Sequence, residues 1–321
     1  MRLGFTRVVP ARVRDPTEAI GGTMTNAARS KAIEHYVAAR PDFEQQLGFF
    51  EALWAAQDEI ATDAVEYAPA STEETVSALR KTRTLFSLVP PTIPLEPYRA
   101  AVRRIAGLMA EHAGLPEEQS AGLAEADLAD AISQEGLDAM LSGFDAFVSA
   151  VMAEVDDDRL TEPLVFFVLS EAATPFLRQP AADAVKAAGD FDWLQYDSGL
   201  CPVCGTPAAS GVVRDEGELQ GGRRWLSCPT CRTQWEYARV RCARCGHREQ
   251  ANLEYLYDEH DPGHRLHTCK KCNGYIPVTF EKQTTVIAVP EVEEVIMVPL
   301  EQVATSRGLS PLGDDVTETA N

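Results

Sequence analysis

Residues 25–200 carry apolar positions at helical period. Leu47, Phe50, Trp54, Ala61 and Val65 follow i, i+3/i+4 spacing, and Ser71-Thr72-Glu73-Glu74 reads as a capping box opening a helix that carries Val76 and Leu79. That helix is expected to stop near Leu88, because Pro90, Pro91, Pro94 and Pro97 follow as a stiff extended link. Tyr98, Val102, Ile105 and Met109 begin the next stripe. Leu137, Leu141, Phe144, Val148, Val151 and Val155 predict one continuous helix ending at Asp156-Asp157-Asp158. Such stripes predict a helix-bundle core and no chemistry. The pattern decays after Pro175 and Pro180, and Gly189 to Gly199 reads as a hinge, which places a boundary near residue 195.

Beyond it the period changes. Val212-Val213, Trp225-Leu226, Tyr255-Leu256-Tyr257 and Arg265-Leu266 are short strand-like runs. The reading is α+β: an all-α helical domain over 25–195, then a tandem pair of small rubredoxin-like or zinc-ribbon β modules over 196–282. An Arg-rich stretch over 1–24 without an apolar run reads as a disordered leader, with Met24 as an alternative start, and 283–321 reads as an acidic tail. The helical region has its own apolar stripes and is expected to fold without metal, whereas the β modules have little core and should depend on it.

Composition narrows the function. With 45% hydrophobic residues in 321, the chain can bury a core, and its longest apolar run, Leu164 to Leu169, is far short of a membrane span of about 20 residues. The formal charge of −20 argues against affinity built on neutralising phosphates. It is unevenly placed: 12 Lys/Arg against 10 Asp/Glu in 201–282, and an acidic excess on either side. No nucleic-acid partner and no membrane insertion are expected, and the location expected is cytoplasmic.

All eight cysteines lie in 201–282 as Cys-x-x-Cys pairs: Cys201/Cys204, Cys228/Cys231, Cys242/Cys245 and Cys269/Cys272. A shift of 41 superposes the first two pairs on the last two, together with Gly205 on Gly246, Gly222 on Gly263 and Arg224 on Arg265. The segment is a tandem duplication, with repeats 201–241 and 242–282. Two Cys-x-x-Cys turns close an S4 tetrahedron around one ion. One repeat therefore makes one site: Cys201, Cys204, Cys228 and Cys231 for the first, Cys242, Cys245, Cys269 and Cys272 for the second. An interleaved pairing of Cys201/Cys204 with Cys242/Cys245 is the alternative. Gly205 and Gly246 follow a second cysteine, where positive φ turns amides toward sulfur; Arg232 and Asn273 hold that place in the other knuckles, and Arg232 is expected to make its knuckle irregular.

His264 and His267 lie near Cys269 as substitute ligands, though four thiolates are already at hand. Thioredoxin-type chemistry needs a βαβ setting that this region lacks. Arg239, Arg241, Arg244, Arg248, Lys270 and Lys271 either face a nucleic acid or offset thiolate charge, and the near-neutral balance favours the second. An S4 set suits Zn²⁺ and iron alike.

These motifs resemble the formate dehydrogenase accessory protein family FdhE: Cys201-Pro202-Val203-Cys204-Gly205-Thr206-Pro207, Cys228-Pro229-Thr230-Cys231 with Trp235, Arg239-Val240 before Cys242-Ala243-Arg244-Cys245-Gly246, and Cys269-Lys270-Lys271-Cys272 followed by Tyr275 and Glu281-Lys282. The resemblance implies a cytoplasmic, non-catalytic maturation factor that binds iron through its cysteine pairs, with zinc as the alternative, and that contacts the catalytic subunit of a respiratory formate dehydrogenase. A rubredoxin-like electron carrier and a zinc-ribbon nucleic-acid binder are the competing classes. An enzyme is disfavoured, since closed S4 sites leave no open coordination position and no nucleophile–base set is evident elsewhere.

Overall fold

In the computed structural model residues 26–215 and 222–314 are described; the expected leader, 1–24, lies outside them. Among the described residues the helical part runs α1 (Asn26–Ala39), α2 (Glu44–Asp58), α3 (Thr72–Arg80), α4 (Leu95–His112), α5 (Glu117–Glu125), α6 (Gln134–Ala139), α7 (Phe144–Val155) and α8 (Glu162–Ala187). The capping box forms as read: the Ser71 hydroxyl accepts from the Glu74 amide and the Glu74 carboxylate accepts from the Ser71 amide at 3.1 Å. The helix it opens stops at Arg80, short of the expected Leu88. Thr82 turns left-handed (φ 52°), and the Leu85 and Phe86 amides then donate to Pro202 and Val203 carbonyls at 2.9 Å, so a tertiary contact takes the amides a longer helix would use.

Two further helices depart from the apolar pattern. The stripe from Leu137 to Val155 is split into α6 and α7, because Gly143 adopts an extended conformation (φ −166°, ψ 77°) between them. α8 continues through Pro175 and Pro180, where a decay was expected. Its Ala172, Ala173, Phe176, Leu177, Ala181 and Ala184 are all buried at 0–1% exposure, and that packing offsets the two amides the prolines lack.

Among the described residues six strands follow: β1 (Ser210–Arg214), β2 (Arg223–Ser227), β3 (Gln234–Tyr237), β4 (Leu253–Tyr257), β5 (His264–Cys269) and β6 (Gly274–Phe280). They form one sheet in the order β3-β2-β1-β6-β5-β4. Each repeat supplies an antiparallel three-stranded meander, and the two are joined by a parallel pairing of β1 with β6, with Val212 opposite Thr279. The inner strands β1 and β6 are buried at every position, whereas β4, at the rim, is half-exposed. The α+β class, with a helical region followed by paired metal-ribbon-type modules, stands.

Pro290–Ser306 forms a ninth helix, α9, within the stretch read as an acidic tail. Val289, Val292, Val295 and Ile296 pack with Ile33 and Tyr36 of α1, Leu47 and Trp54 of α2, and Leu266 and Tyr275 of the sheet. Glu293 is 1% exposed, and its carboxylate accepts from the Tyr36 hydroxyl at 3.0 Å, from Thr279 at 3.2 Å and from His264 Nε2 at 2.8 Å, which in turn holds Asp261 through Nδ1 at 2.7 Å. The main core is common to both halves of the chain: Leu79, Phe86 and Phe176 of the bundle belong to one continuous cluster with Cys201, Leu226, Trp235 and Val278. The linker is tied down as well, since Gly199 approaches the Ala243 backbone so closely that a Cβ would fall 1.7 Å from the carbonyl oxygen.

Two outcomes follow for stability. Gly199→Ala should lower the unfolding free energy by about 3 kcal/mol through that overlap, whereas Gly48→Ala, in the open face of α2, should raise it by about 0.5–1 kcal/mol; urea unfolding reads both. Burial works against a charged His264, but its hydrogen bonds to Asp261 and Glu293 prevail and raise its pKa to about 9. With an unfolded value of about 6.5, its stabilisation is fully present below that pH and is lost as pH rises through about 9. The urea midpoint should therefore fall between about pH 7 and about pH 10, and His264→Gln should start lower and show a flatter profile.

Candidate metal centre

Each Cys-x-x-Cys turn is built the same way. The amide of the first cysteine donates to a carbonyl five residues on: Cys201 to Thr206 at 2.8 Å, Cys228 to Thr233 at 2.9 Å and Cys242 to His247 at 2.8 Å. The residue after the second cysteine is left-handed in all four turns: Gly205 (φ 86°), Arg232 (62°), Gly246 (74°) and Asn273 (56°). Amides then point at sulfur, Val203 to Cys201 Sγ at 3.4 Å, Cys231 to Cys228 Sγ at 3.5 Å and Arg244 to Cys242 Sγ at 3.3 Å. The irregularity expected at Arg232 does not occur. Its guanidinium is drawn to Glu171 of α8 at 3.5 Å, and that anchorage offsets the backbone conformation an arginine adopts less readily than glycine.

The turns meet within repeats and not across them. Cys201, Cys204, Cys228 and Cys231 bring their sulfurs within 4.8 Å of one another, as do Cys242, Cys245, Cys269 and Cys272. The sulfur–sulfur edges are 3.5 Å for Cys201–Cys231 and Cys204–Cys228, 3.7 Å for Cys242–Cys272 and 3.8 Å for Cys245–Cys269. A tetrahedron with metal–sulfur bonds of about 2.3 Å has edges of about 3.8 Å, so both sets fit a single tetrahedral ion. All eight cysteines are free thiols, and in each set three are buried while Cys204 or Cys245 is partly exposed.

The thiols within each set are not electrostatically equivalent. Hydrogen bonds from Cys201, Cys228 and Cys231 hold the Cys204 thiol well below its usual range, and Cys272 does the same for Cys242, bringing it down to about 5. Burial pushes Cys201 and Cys228 up, and the hydrogen bond to Cys242 together with burial pushes Cys272 up. Each set thus holds one thiol low, Cys204 or Cys242, beside neighbours pushed up. Bringing the rest to the thiolate form takes a positive charge at the centre.

The nearby histidines are occupied elsewhere. His264 belongs to the Glu293 cluster, and His267 Nδ1 meets the Arg224 guanidinium at 2.7 Å; burial and that cation lower its pKa to about 3. Two of the arginines singled out from sequence, Arg241 and Arg244, act as internal braces. Arg244 donates to Tyr275 and Ala208 carbonyls at 2.9 and 2.8 Å, and Arg241 donates to the Gly246 and Asp197 carbonyls at 3.1 Å and pairs with the Asp197 carboxylate. Arg248, Lys270 and Lys271 remain exposed. Two residues escaped the sequence reading: Thr206 and Thr233, whose hydroxyls lie 3.3 Å from Cys204 Sγ and 3.1 Å from Cys231 Sγ. Their signal was a Cys-x-Thr step after both turns of repeat one.

Comparison with known proteins agrees with the motifs. Residues 200–239 match the family described as FdhE, central domain. The chain is similar to curated proteins described as FdhE homologues: one from Aquifex aeolicus (30% identical over 47% of this chain and 51% of that one), one from Stutzerimonas stutzeri (42%, over 25% and 26%) and one from Pseudomonas aeruginosa (35%, over 35% and 38%). The matches thus span about half of the first relative's length and less of the others. The fold resembles the crystal structure of the FdhE protein from Pseudomonas aeruginosa, with a TM-score of 0.57 at 18% identity over 91% of this chain and 94% of that one. The resemblance to FdhE read from the cysteine motifs is borne out.

Elemental analysis of protein purified under reducing conditions should give two metal ions per chain, one for each set. Replacing Cys242 and Cys245 with Ser should remove one ion and leave the first site filled; loss of both would point to coupled folding of the repeats.

Proposed function

We propose that this chain is a non-catalytic maturation factor, an assembly chaperone that acts in the cytoplasm on the catalytic subunit of a respiratory formate dehydrogenase. The observation that carries this reading is the pair of closed four-cysteine sets within a fold and a motif order like those of FdhE. Eight sulfurs arranged as two tetrahedra use every ligand position, so the sites suit holding an ion better than activating a substrate. Iron is the ion we assign to both sites; zinc fits the same donors and the same edges.

The common core supports a single working body. Because Cys201, Cys228 and Cys231 pack with the bundle's own apolar residues, the helical part is a platform built onto the first metal site and not an appendage of an electron carrier. None of the helices that are described is long and apolar enough to cross a membrane. Three of the arginines near the sites are turned inward as braces, which leaves little of the cationic surface that a phosphate backbone requires.

In cells that make a formate dehydrogenase but lack this chain, the full chain should restore formate oxidation and the Cys201→Ser, Cys204→Ser double variant should not. Full rescue by the double variant would overturn a role for the first site in maturation. An equal defect in an unrelated metalloenzyme would replace the dedicated chaperone with a general metal or redox role. The visible spectrum of protein purified without added metal decides the ion: thiolate-to-iron bands are expected, and a colourless protein would assign zinc.

A further inference from the structure

The two cysteine sets are chemically alike and sit in unlike surroundings. The first belongs to the main core, with Val203, Ala208 and Trp235 in the same cluster. It is held from the bundle by the Leu85 and Phe86 amides on the Pro202 and Val203 carbonyls and by the Arg232–Glu171 pair. Cys242, Cys269 and Cys272 instead form a small cluster of their own, whose half-buried apolar neighbours are Cys245 and Leu253. The turn between Cys269 and Cys272 carries Lys270 and Lys271, both exposed.

That turn is closed by the segment following α9. Asn273 Nδ2 donates to the Gly308 carbonyl at 2.5 Å, the Ser310 amide to the Asn273 carbonyl at 2.9 Å, the Tyr275 amide to the Ser310 carbonyl at 3.1 Å, and the Asp314 amide to the Cys272 carbonyl at 2.6 Å. Gly313, at φ 80°, lies over the ligand itself, where a Cβ would come within 3.2 Å of Cys272 Sγ and 3.3 Å of its carbonyl oxygen. Apart from Leu309, which packs against the α9 cluster, the strap is held by these hydrogen bonds and not by burial: Pro311, Leu312 and Asp314 are exposed. Hydrogen-bonded segments with little apolar burial open locally far more readily than a core does.

We propose that the second set is the exchangeable metal site and that Gly308–Asp314 is its gate, while the first set keeps its ion as part of the core. The reading rests on each set holding a metal. The cargo is a divalent ion of thiolate preference, zinc or ferrous iron, passed by ligand substitution. As the strap lifts, an incoming thiolate or nitrogen donor forms a bond to the ion for each Cys–metal bond broken. The freed Cys thiolates take up protons from water, and the metal keeps its oxidation state.

The test uses the full chain loaded with zinc and mixed with excess 4-(2-pyridylazo)resorcinol, with release followed by absorbance after elemental analysis of the starting protein. Two phases of one zinc each are expected, and the fast one should be missing from the Cys242→Ser, Cys245→Ser variant. Gly313→Val, and separately a chain ending at Arg307, should speed the fast phase by about tenfold, the restraint of roughly one hydrogen bond, and leave the slow phase unchanged. One common phase, a fast phase that survives loss of Cys242 and Cys245, or a fast phase indifferent to both strap variants would each overturn the gate. If the double variant loses its helical circular dichroism, cadmium-113 NMR of the wild-type chain assigns the phases by which of two resonances decays first. Fewer than two zinc ions at the start would instead sink the two-metal reading, and this inference with it.

Discussion

Four thiolates cannot share a space of a few ångströms without a cation between them, and four thiols there must keep their protons; both cysteine sets of this molecule stand under that constraint. The β modules are short strands joined by turns, and their inner strands are buried against the helical part. Where sulfurs are brought together in a folded chain, either an ion compensates them or their protons must stay on. The protein meets the requirement twice, with left-handed residues behind each second cysteine and amides pointed at sulfur. It meets it differently in the two repeats: the first set is embedded in a core shared with the bundle, and the second is closed by a strap.

Much of the site was legible because its determinants are local. The 41-residue shift marked out the two groups of four cysteines that the structure brings together, since a Cys-x-x-Cys turn carries its geometry within a few residues. Strands β1, β2 and β4 followed from β-branched or aromatic runs, and β5 from the Arg265-Leu266 run. β6 was harder to read, because Pro277 argues against a central strand. In the structure Pro277 precedes the parallel ladder with β1, which begins at Val278, so its missing amide is not required there.

What escaped the sequence depends on contacts made at long range. α9 has apolar positions at Val289, Val292, Val295 and Ile296, yet its glutamates and Pro299 gave it the look of a tail. Glu293 can be buried only because Tyr36, His264 and Thr279, from distant parts of the chain, converge on it. The same holds for α8, whose two prolines read as an ending until the burial around them is seen. Arg232 is a third case: the cost of its backbone is visible in sequence, and the carboxylate that offsets it, on α8, is not.

The parallel join of β1 to β6 sets the two meanders head to tail, as by translation, and not face to face about a two-fold axis. An arrangement of that kind is not self-limiting, because every added unit presents again the rim that received it. One rim is shut: β3 is buried, and its Trp235 indole donates to the Ser198 carbonyl ahead of the first repeat. The other, β4, is left as the growing end of a two-unit array. A duplication of this segment therefore enlarges the sheet by one strand trio at the open rim and leaves the four-cysteine set already formed in place.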